Sequence, residues 1–170
     1  MKLRHVVILA AVAALGCNKA TAPTGGISAN CSVTLSGALS GTYDCRPATT
    51  LWAATDTTDF TFGVAASGTR PSIAVAILWG GVPTDSTYRN TDAGAEAELI
   101  VTTSAHQTWE AAVGPGETVA GSYGLTFTSV AQNGANAGGN GYDAEGTLDA
   151  TLPAVTSTGA SGVVLVSATF

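Results

Sequence analysis

A chain of 170 residues with 12 acidic side chains against 6 basic ones, for a net charge of −6, lacks the clustered cations that grip a phosphate backbone. Nucleic acid is therefore excluded as a partner. Charged residues make up only 11% of the chain, and Ala, Gly, Thr, Ser and Val dominate, which disfavours salt-bridged helices and favours pleated strands joined by tight turns.

The chain opens with Met1-Lys2-Leu3-Arg4-His5, continues through an uncharged apolar stretch at 6–15, and reaches Gly16-Cys17. A basic start, an apolar middle of about ten residues and small residues at the cut are the layout of an export signal, and a spanning helix needs about 20 apolar residues. The motif Ala14-Leu15-Gly16-Cys17 resembles the lipobox of bacterial lipoproteins. The resemblance implies that residues 1–16 are removed as a signal peptide, that Cys17 becomes the mature N-terminus, and that its sulfur carries a diacylglyceryl thioether. With about 0.8 kcal/mol from each buried methylene, two or three acyl chains make a lasting tether where one holds only marginally. The same resemblance, with Asn18 rather than Asp after the cysteine, favours the outer membrane, on either its periplasmic or its outer face. Loss of the leader removes Lys2 and Arg4, leaving Lys19, Arg46, Arg70 and Arg89 against all twelve acids, a net charge of −8. Residues 17–30 are polar, carry Pro23, Gly25 and Gly26, and show no periodicity, so they read as a flexible tether.

Once Cys17 is assigned to lipid, Cys31 and Cys45 form an even pair in an oxidising compartment. The runs Ser32-Val33-Thr34-Leu35-Ser36 and Thr42-Tyr43-Asp44 flank a turn at 37–41 and read as a hairpin. Folding it about Ala38 sets Val33 opposite Tyr43 and Cys31 opposite Cys45, within disulfide reach. Seven further strands are expected at 59–66, 72–79, 96–104, 107–113, 122–131, 143–152 and 163–170, for about nine in all. No apolar run of helical period follows residue 30. Short strands punctuated by Gly, Pro and Asn predict an all-β domain over 31–170, a β-sandwich of mostly antiparallel strands with an N-terminal disulfide-linked hairpin.

Candidate chemistry is sparse. His106 is the one histidine left after removal of the leader, and no Gly-x-Ser-x-Gly elbow accompanies it, so the chain does not read as an enzyme. One histidine and two disulfide-bonded cysteines leave no ligand set for zinc, and no cofactor is expected. Residues 138–146 partly match the Gly-rich calcium nonapeptide of β-roll repeats, but those sites need stacked copies. The stretch from Gln132 to Tyr142 reads instead as a long flexible loop. Asp56 with Asp59, or Asp85 with Asp92, could offer oxygens to calcium, although such acids more often cap turns. Of Trp52, Trp79 and Trp109, the latter two share parity with apolar neighbours and belong to a core. Trp52, before a Thr- and Asp-rich stretch, is the candidate ligand-binding aromatic.

The expectation is a lipid-anchored cell-envelope protein with a non-catalytic binding or structural role, whose partners are the membrane and a glycan or an envelope protein. A carbohydrate- or calcium-linked adhesion module is the alternative. A third reading is a small outer-membrane β-barrel, since Gly162, Val164, Val166, Ala168 and Phe170 alternate up to a terminal aromatic and resemble a barrel's closing strand. The other strands lack lipid-facing alternation and aromatic girdles, which counts against it.

Overall fold

The computed structural model describes residues 31–47, 50–52, 59–66, 71–80, 86–92, 96–114, 117–118, 121–136 and 139–170. The leader, Cys17 and the tether lie outside the described residues. Among the described residues, twelve strands run in chain order: β1 Ser32–Gly37, β2 Gly41–Pro47, β3 Thr50–Trp52, β4 Asp59–Ala66, β5 Ser72–Gly80, β6 Thr87–Arg89, β7 Glu96–Thr102, β8 Thr108–Gly114, β9 Glu117–Thr118, β10 Ser122–Asn136, β11 Gly139–Pro153 and β12 Val163–Thr169. The nine expected strands are all present. The three additions, β3, β6 and β9, are only two or three residues long.

All pairings are antiparallel, and they build two layers. The front layer runs β6-β10-β11-β12-β1-β2, with β3 also paired to β11; the back layer runs β2-β4-β5-β7-β8-β9. β2 belongs to both. Its first half pairs with β1, where Val33 faces Tyr43, and its second half pairs with β4, where Cys45 faces Ala66. The Cys31–Cys45 disulfide sits at this changeover, with a Cα separation of 4.9 Å, and the Cys45 N–H donates to the Cys31 carbonyl. The corner strand is thus pinned where it leaves one layer for the other.

A period of two puts alternate side chains on one face, and here that face is the core. Val33 and Leu35 of β1, Leu125 and Phe127 of β10, Leu148 and Leu152 of β11, and Val164 and Val166 of β12 point inward from the front. They meet Ile73, Val75 and Ile77 of β5, Leu99 and Val101 of β7, and Trp109 and Ala111 of β8 in one apolar cluster. Trp109 is buried, as its parity predicts, and its indole N–H donates to the Ser161 carbonyl at 3.2 Å. The link from β11 to β12 carries a 3-10 turn, Thr156–Thr158, and clamps the start of β8. There the Thr158 hydroxyl accepts from the Thr108 N–H, the Val155 N–H donates to the Thr108 carbonyl, and Trp109 bridges Ala154. The layers are therefore joined by β2 on one side and by this clamp elsewhere.

One expectation is corrected. The stretch from Gln132 to Tyr142 is not a long loop: β10 continues to Asn136 and β11 begins at Gly139, with Asn136 paired to Gly139. Register shifts between Phe127 and Ser129 and between Gln132 and Gly134 let the ladder absorb extra residues without losing pairing. At the first shift, Gly146 lies opposite Phe127, and a Cβ there would collide with the Thr126 carbonyl and press on the Phe170 ring. The backbones of Gly146 and Phe170 exchange two hydrogen bonds, at 2.8 and 3.0 Å, and the buried Phe170 ring reaches the space that a side chain at Gly146 would need.

Candidate functional site

Because the core takes the inward residues of the front layer, the intervening residues face outward, and register arranges them in transverse rows. One row crosses six strands as Asp44, Ser32, Thr169, Thr147, Thr126 and Thr87. The next reads Thr42, Thr34, Ser167, Asp149, Gly124 and Arg89 across six. A third reads Ser36, Leu165, Thr151 and Ser122. Hydroxyls within the rows bond to one another, Thr34 to Thr42 at 3.2 Å and Thr87 to Thr126 at 2.8 Å. Short β-hydroxyl side chains suit this pleated surface and offer both donors and acceptors.

The second and third rows floor an open groove of about 600 Å³, lined by Thr34, Ser36, Leu165 and Ser167 at one side, Asp149 and Thr151 in the middle, and Ser122, Gly124, Arg89 and Asn90 at the other. Gly124 is the notch in it. It separates Asp149 from Arg89, and a Cβ built at this glycine would meet nothing within 4 Å. Asp149 and Arg89 are two strand spacings apart, about 9.5 Å across the sheet. Leu165 is 46% exposed and Val163 42%, so apolar side chains also stand on this face.

The Arg89 end is held by the turn that follows β6. Asp92 accepts the Arg89 backbone N–H at 2.7 Å, and the Asp92 N–H returns to the Arg89 carbonyl at 3.0 Å. This is the turn-capping role weighed for Asp92 against a calcium role. Beneath the same edge, burial and then the negative charge of Asp92 push the Tyr123 phenol up from 10.0 to about 12. The folded state thus favours neutral Tyr123, and the resulting stabilisation is present below pH 10 and lost as pH rises from 10 to 12. A shift of this size corresponds to roughly 3 kcal/mol. Urea unfolding at pH 9 and at pH 11.5 is expected to show that loss in the parent chain and a smaller one in Tyr123→Phe; equal losses would remove Tyr123 as the cause.

The other residues singled out by sequence do not converge here. His106 is exposed in the turn between β7 and β8, at φ 60°, where Thr103 and Gln107 close the loop through backbone bonds; Ser104 is exposed in the same turn. Among the described residues no group of three or more His, Cys, Asp or Glu side chains could hold a metal ion. Trp52 lies in β3, paired with Asn140 of β11, and its side chain is outside the described residues. Trp79 lies in β5 opposite Phe60, again without a described side chain. Asp56 and Asp85 are outside the described residues, as is the side chain of Asp59. Sequence reasoning missed Arg89 and Gly124 because their shared row exists only through the β6–β10 pairing, and β6 is too short to carry a period. The outward alternation of Thr147, Asp149 and Thr151 was legible, but not what stands beside it. Comparison with known proteins adds no family: no family model, no curated protein and no solved structure matches the chain.

Proposed function

We propose that this chain is a lipid-anchored protein of the bacterial cell envelope, held on the outer membrane through Cys17 and serving a non-catalytic binding role through the outer face of its front layer. The observation that carries the binding role is that face: three registered rows, mostly of hydroxyl and charged side chains, two of which floor an open groove, on a sheet whose other side is packed. The lipobox-like Ala14-Leu15-Gly16-Cys17 supports the anchor, and the polar 17–30 stretch would let the domain stand off the membrane.

The polarity of the front layer counts against the barrel reading. A transmembrane barrel turns apolar side chains toward lipid, whereas this layer turns Val33, Leu125, Leu148 and Val166 inward and Thr34, Thr147, Asp149 and Ser167 outward. Fractionation tests the anchor. The parent chain should sediment with outer membrane and require detergent for release, while Cys17→Ser should move to the soluble fraction. Identical partition of the two would overturn the anchored reading.

A further inference from the structure

We propose that the groove over Gly124 is a binding site for a neutral carbohydrate chain. The inference rests on the binding role above and names its ligand class.

The chemistry of the groove matches a sugar ring group by group. A hexose presents closely spaced hydroxyls around its rim and an apolar C–H patch on its face. Asp149 offers a carboxylate acceptor to paired hydroxyls, Arg89 offers a planar set of donors across the notch, and Thr34, Ser167 and Thr151 supply groups that donate or accept. Leu165, exposed among these polar residues, provides the apolar contact. Among the described residues no ion pair joins Arg89 to Asp149, and Gly124 keeps the space between them open. A groove of about 600 Å³ is of the size that ordinary small-ligand sites occupy. Open to solvent on a sheet face, it leaves room for a chain rather than only a free monosaccharide.

Charge selects the neutral class. The chain carries a net −6, and among the described residues lining the groove Arg89 is the one cation, across the notch from Asp149, so a polyuronate would meet repulsion as well as a single attraction.

The test uses the full chain in detergent and isothermal titration with a soluble β-glucan, a mannan and a galactan, with alginate as the polyanionic probe. At least one neutral glycan should bind. Asp149→Ala and Arg89→Ala should each weaken that binding at least tenfold. Gly124→Thr puts a branched side chain into the notch, at a position where a Cβ meets no atom within 4 Å, so it should abolish binding while leaving the melting temperature within about 2 °C, as expected of a surface change. Binding of alginate alone, binding unaffected by Gly124→Thr, or no binding of any glycan would each overturn the proposal. A chain that ignores every glycan yet depends on Cys17 for membrane association refutes the ligand while leaving the anchor standing. A chain that binds a neutral glycan through this groove but stays soluble irrespective of Cys17 supports the ligand and refutes the anchor.

Discussion

Phe127→Ala is expected to lower the unfolding free energy by about 4 kcal/mol, close to the upper range for removal of a buried aromatic. Phe127 is 2% exposed and stands edge-on between two other rings, with centroids 5.9 Å from Tyr88 and 6.1 Å from Phe170. It thereby ties together elements distant in sequence: the short edge strand β6, the long β10 and the end of the chain. Its backbone N–H donates to the Ser86 carbonyl at 3.1 Å, so the edge strand is held by main chain and ring together. Removing the ring leaves a cavity, and the glycine opposite, Gly146, has no side chain to collapse into it. A domain of this size has only about 5–15 kcal/mol to lose, so the change should be plain in denaturant unfolding. Phe127→Leu, which keeps most of the volume, should cost clearly less. A loss below about 1 kcal/mol for the alanine variant would mean that the aromatic column does not organise this end of the core.

The second large effect is expected at the disulfide. Opening the Cys31–Cys45 bond, whose partners are 14 residues apart, should cost about 3 kcal/mol through freedom regained by the unfolded chain. The consequence is larger than a local loss of the hairpin because β2 changes layers at this point, pairing with β1 through Asp44 and with β4 from Cys45 onward. Paired Cys31→Ser and Cys45→Ser substitutions, or reduction of the parent chain, should lower the melting midpoint by roughly 10 °C. A midpoint insensitive to reductant would show that the corner is held by strand pairing alone.

These two features differ in how far they could be read from sequence. The hairpin register was fully legible: the alternation of Val33 and Leu35 against Tyr43, with a turn between them, allows one folding point, and that point aligns the cysteines. Parity likewise identified Trp109 as core, because its strand neighbours Ala111 and Val113 are apolar. The aromatic column was not legible, since Tyr88 sits in a strand of three residues, too short for any period to emerge. The stretch 132–142 misled for a different reason. Gly and Asn disfavour strands intrinsically, but an established antiparallel pair can extend through them when the partner backbone supplies the hydrogen bonds, and two register shifts accommodate the misfit. The groove lay furthest from view. Asp149, Gly124 and Arg89 are scattered in the chain and become neighbours only through two successive pairings, and a glycine in a strand gives no hint of what flanks it.

Assignment to the cell envelope depends on how the N-terminus of the mature chain is processed. Mass spectrometry of the N-terminal peptide, taken from protein extracted with detergent from the native membrane, tests this most directly. The account predicts a chain beginning at Cys17, its sulfur bearing diacylglycerol and its amino group acylated. A chain that retains Met1 to Gly16, or that starts beyond Cys17 with no lipid attached, would contradict it.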